Sequence, residues 1–80
     1  MSIWQVNLDS RDVSQYRKKL NNQGFISANY YSSNGFDLKK MRKMAIDGKI
    51  DAIRCIIGKA TRWYYFENQA ETARLRGELY

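Results

Sequence analysis

Histidine and proline are missing from this 80-residue chain, and cysteine occurs once. A single thiol and no imidazole exclude a disulfide framework, a Cys/His zinc finger and a Ser/His or Cys/His nucleophilic pair. Long apolar runs are missing too: stretches such as Cys55-Ile56-Ile57 fall far short of the roughly 20 residues a membrane-spanning helix needs. Nor is there a Gly-rich phosphate loop, a metal-ligand cluster or a pair of carboxylates at a useful spacing. An enzyme is therefore the class least expected, and no cofactor or metal is expected. Met1-Ser2-Ile3-Trp4 lacks the basic and apolar regions of a secretory leader, and a lone thiol suits a reducing compartment. The expectation is a small soluble cytoplasmic protein that has no membrane partner.

What is present supports a folded chain of one domain over residues 1–80: 44% apolar residues and eleven aromatics. The formal net charge is +6, and it is unevenly placed. Residues 11–62 hold twelve Lys and Arg against four Asp, while the segments on either side are slightly acidic. A basic middle of this kind points to a polyanion or an acidic protein as partner; the plain alternative is that these cations only keep the protein soluble.

Hydrophobic spacing orders the chain. Trp4, Val6 and Leu8 alternate as in a half-buried strand. Asp9 or Ser10 caps a helix with Val13, Tyr16 and Leu20 on one face, closed near Gly24. Phe25 to Tyr31 reads as a short strand or an irregular packed segment, followed by a turn at Ser32-Ser33-Asn34-Gly35. Asp37, or Asn34 ahead of it, caps a second helix with the stripe Leu38, Met41 and Met44/Ala45. Lys39, Lys40, Arg42 and Lys43 fill its remaining arc, and Gly48 ends it. Ile50 to Ile57 is apolar on both parities, the pattern of a strand covered on both faces. Gly58-Lys59-Ala60-Thr61 makes a hairpin loop with a positive tip, and Arg62-Trp63-Tyr64-Tyr65-Phe66 returns. Asn68 and Glu71 have the spacing of a capping box for a third helix carrying Ala70, Ala73 and Leu75.

A basic helix, Gly48 and a hairpin with a basic tip together resemble the excisionase and MerR-like winged-helix DNA-binding families over residues 37–66. The residues that carry the resemblance are Leu38-Lys39-Lys40-Met41-Arg42, Gly48-Lys49-Ile50-Asp51-Ala52-Ile53-Arg54, and Gly58-Lys59 through Arg62-Trp63-Tyr64-Tyr65-Phe66. The family usually has proline where Asp51 stands. It also has a short helix just before the recognition helix, a place taken here by residues 29–35. The first half of a helix-turn-helix is then expected at Val13–Leu20, or absent. The resemblance implies an α+β, winged-helix-like domain of order β-α-(β)-α-β-hairpin-α. It also implies a recombination directionality factor that binds and bends duplex DNA beside an attachment site, with an integrase or recombinase and neighbouring copies of itself as partners. Transcriptional repression by the same fold is an alternative.

On this reading Lys39, Lys40, Arg42 and Lys43 follow phosphates or reach a guanine edge, and Lys49, Arg54, Lys59 and Arg62 surround the hairpin as DNA contacts. Against it stand a solvated helix face and charges that guard an edge strand. The aromatic run is expected in the core, Trp63 and Tyr65 on one sheet face and Tyr64 and Phe66 on the other; stacking on single-stranded nucleic acid is the other reading. Cys55 is expected as a small buried apolar residue. A function of another class stays open: an inhibitor or adaptor of phage or mobile-element type whose basic face docks on an acidic protein.

Overall fold

In a computed structural model, which describes residues 3–79, the alternating segment that opens the chain forms β1 (Ile3–Leu8). The Asp9 carboxylate accepts the Arg11 backbone N–H at 3.1 Å and starts a 3-10 turn at Ser10–Asp12 that leads into α1 (Val13–Asn22). Then follow β2 (Phe25–Ser27), α2 (Ala28–Ser33), α3 (Leu38–Ile46), the strands β3 (Ala52–Ile57) and β4 (Ala60–Phe66), and α4 (Glu67–Leu75). The fold is α+β, as expected.

The four strands form one mixed sheet in the order β1-β3-β4-β2. β1 runs parallel to β3, with Val6 opposite Cys55. β3 and β4 are an antiparallel hairpin, and β2 pairs antiparallel with the far end of β4, Ile26 opposite Tyr65. Ile57 pairs with Ala60, so the hairpin loop is only Gly58-Lys59, two residues shorter than the loop expected. Gly58 has φ +59°, the left-handed first position that a type II′ turn requires.

Paired residues share a sheet face, and each face has its own cover. Ala52 and Tyr65 face α2, α3 and α4 and are buried with Tyr31, Met41, Ala45, Ala70 and Ala73. Ile53, Cys55 and Tyr64 face the other way and are buried under Leu20 of α1, with Val6, Leu8, Tyr16 and Phe25 around them. α1 therefore lies across the sheet from the other three helices. Two contacts close the larger core: the Asp37 N–H donates to the Leu79 carbonyl (2.9 Å), and the Asp51 N–H donates to Gln69 Oε1 (2.7 Å).

Three local expectations are corrected. The strand of the Phe25 region stops at Ser27, and Ala28–Ser33 is a helix directly before α3. The reason is tertiary: the buried Tyr31 hydroxyl donates to the Tyr65 carbonyl (3.0 Å), and its ring lies edge-on to Phe36 and Tyr65. Asn68 does not cap α4. That helix begins at Glu67 with Phe66 in the capping position, and Glu71 pairs with Arg74 at 2.8 Å instead of closing a capping box. Leu75 lies off the buried stripe, 78% exposed.

Candidate functional site

The site is built on Trp63. Strand alternation puts its ring on the same face as Tyr65, and the two stack with centroids 6.1 Å apart and planes 9° from parallel. Arg54 is the residue opposite Trp63 on β3, and its guanidinium carbon lies 5.7 Å from the ring centroid. Arg54 Nη2 donates to Gln5 Oε1 of β1, while its Nε is buried without a hydrogen-bond partner among the described residues. The electron-rich ring offsets part of that cost.

Arg42 reaches the same ring from α3. The helix starts firmly because the Asp37 carboxylate accepts the N–H groups of Lys39 and Lys40 at 3.0 and 3.3 Å. Met41 and Ala45 turn into the core. That leaves Arg42 on the flank that meets β4, its guanidinium carbon 5.5 Å from the Trp63 centroid. Burial raises the Tyr65 phenol above its ordinary value, and the charge and hydrogen bond of Arg42 pull it partly back.

Beside this cluster the sheet is open. β2 covers β4 only over Tyr64–Phe66, so among the described residues Ala60–Trp63 has no strand on its outer edge. A groove of about 330 Å³ follows that edge, lined by Ser27, Ala28 and Asn29 on one side and by Arg42, Thr61, Arg62 and Trp63 on the other. Arg62 approaches the edge from the opposite sheet face, where it and Arg17 of α1 lower the Tyr64 phenol against the larger upward push of burial. Lys59 is exposed at the tip of the hairpin.

The eight cations singled out from the sequence thus divide. Arg42, Arg54 and Arg62 gather around Trp63 and the open edge of β4, with Lys59 at its end. Lys40, Lys43 and Lys49 line a separate cleft of about 240 Å³ on the other flank of α3, together with Asp47 and Glu78. There Lys43 Nζ lies 3.8 Å from the Asp47 carboxylate, so the positive potential of that side is partly cancelled. Lys39 is exposed in the first turn of α3, three residues before Arg42.

Two participants were not singled out. Arg17 is one, since no pattern in the sequence shows that α1 crosses the sheet beside Arg62. Trp63 was assigned to the core; its position opposite Arg54 was available only from the hairpin register. With two guanidinium groups and the Tyr65 ring around it, Trp63 orients arginines rather than presenting a bare face to a base. What the site offers is a set of fixed cationic donors, suited to anionic oxygens. No family model, no curated protein and no solved structure matches the chain.

Proposed function

We propose that the protein is a small non-enzymatic, cytoplasmic DNA-binding protein that grips duplex phosphates along the groove between α3 and the open edge of β4. The observation that carries this reading is the meeting of arginines from two separate elements, Arg42 of α3 and Arg54 of the hairpin, on one ring beside Arg62. Fixed guanidinium groups lose little entropy on taking a phosphate, and the chain's net charge of +6 adds long-range attraction. The succession α1-β2-α2-α3-β3-β4, with β2 on β4, supports a winged-helix-like reading of the domain; α1 on the far sheet face and the added β1 set it apart from that plan. On the resemblance to excisionases we read it as a recombination directionality factor, with a transcriptional repressor of the same fold as the alternative.

Titration of a labelled duplex with the full chain tests the reading. Four to seven phosphate contacts predict a loss of roughly 10²–10⁴ in affinity between 50 and 200 mM salt. Arg42→Ala and Arg62→Ala are each expected to weaken binding and shallow the salt slope by about one contact, with Lys43→Ala changing it less. Binding indifferent to salt, or a slope untouched by both arginine changes, rules the assignment out.

The open edge of β4 favours a second reading, in which an extended acidic segment of another protein adds as a strand between Arg42 and Arg62. Binding of an acidic peptide in preference to duplex at equal salt selects it.

A further inference from the structure

We infer that the outer edge of β1 is the interface of a symmetric dimer, in which two copies pair antiparallel through Ile3–Leu8. β1 is the terminal strand of the sheet, and among the described residues nothing pairs with its outer edge. An edge strand normally carries a charge, a proline or a bulge that discourages pairing. Ile-Trp-Gln-Val-Asn-Leu carries no charge and no proline, and its six residues pair with β3 without a break in register. Its Trp4 is 49% exposed, one of few large apolar residues left in water among the described residues.

Charge selects the occupant. The chain is strongly basic, yet β1 contributes no cation, so neither a nucleic acid nor an acidic peptide finds a charged partner on that strand. A second copy brings an equally uncharged edge and strands no charge on pairing. The two-fold axis must stand perpendicular to the sheet, because only that operation reverses strand direction and keeps the edges adjacent. Same-face residues then oppose one another. Registers centred on Gln5 or on Val6 set Trp4 against Val6 or Leu8 of the second copy, so both indoles find an apolar partner on the α1 side of the sheet.

The dimer stands without the DNA reading; joined to it, the geometry has a consequence. The grooves at the β4 edges open on the same face of a continuous eight-stranded sheet. With strands about 4.8 Å apart, they lie roughly 30 Å from one another, comparable with the ~34 Å of one duplex turn.

Sedimentation equilibrium of the full chain without DNA tests the interface. The expected result is a reversible species of twice the 9.5 kDa chain mass at micromolar to millimolar concentration. Trp4→Lys and Asn7→Lys, both at exposed positions, are each expected to raise the dimer dissociation constant about tenfold or more, through lost apolar burial for the first and a charge placed on the pairing edge for both. Their circular dichroism should be unchanged. A chain that stays monomeric up to millimolar concentration, or a dimer that survives both substitutions, overturns the inference whatever the DNA titration gives. Loss of duplex binding by a chain that still dimerises counts against the DNA reading alone.

Discussion

Tyr31 shows how much one side chain does in a chain this small. Its hydroxyl donates to the Tyr65 carbonyl inside the larger core, and its ring packs edge-on against Phe36 and Tyr65. Tyr31→Phe keeps the ring and removes the bond, so a loss of about 1–2 kcal/mol is expected in urea unfolding at neutral pH; an unchanged midpoint would show the bond to be neutral. Burial also lifts the phenols of Tyr31, Tyr64 and Tyr65 above their ordinary 10.0, and the Cys55 thiol above 9.0. The folded state therefore keeps protons that the unfolded chain releases. Stability is full below about pH 9 and falls as pH climbs through 9–10 and beyond. Absorbance at 295 nm and circular dichroism should report phenol ionisation and unfolding together, with the alkaline limb less steep in Tyr31→Phe. The burial of Cys55 was legible from its apolar surroundings in the sequence. The Tyr31 bond was not, because its partner lies 34 residues away.

At the scale of elements, most of what the sequence foretold rests on local physics. Asp37 caps α3 because a carboxylate one residue ahead of a helix can reach its first N–H groups. The stripe of Met41 and Ala45 is buried as the 3.6-residue period requires. Where local signals misled, a neighbour decided: α2 forms in an aromatic stretch because Tyr31 docks on β4, and the capping box at Asn68 and Glu71 gives way to the Glu71–Arg74 pair. The junction of α1 and β2 is a tight point. Gly24 has φ +90°, and a Cβ there would stand 2.9 Å from Phe66 Cε1, while its carbonyl accepts the Glu67 N–H at 2.8 Å. Gly24→Ala is expected to cost about 1–3 kcal/mol through left-handed strain and overlap. Thermal unfolding checks it, and Phe66→Leu in the same background should recover part of the loss.

For the whole molecule, charge is the organising quantity. A net +6 on 80 residues repels itself, and screening relieves that repulsion. The melting temperature at neutral pH is expected to rise by about 2–5 °C between low salt and 0.2 M sodium chloride. A fall instead would show that attractive pairs such as Arg11–Asp9 and Lys43–Asp47 outweigh the repulsion. On the proposed DNA reading only the folded chain would bind duplex, so duplex should raise the midpoint further at low salt. Within this field the cations are not equivalent. Arg42 and Arg54 are held against the Trp63 ring, while Lys43 is partly neutralised by Asp47, a division that no count of Lys and Arg contains.

By itself the sequence determined the strands and helices with clear periodicity, the hairpin, the absence of the common catalytic constellations and the basic middle of the chain, because spacing and composition act over a few residues. Tertiary structure alone decided that β1 joins β3 in parallel and leaves an open edge, that α1 crosses to the far face, and that only some of the eight cations meet. Each of these depends on strand order and on which sheet face a helix covers. Strand order joins residues as distant as Gln5 and Arg54, and hydrophobic periodicity carries no record of it.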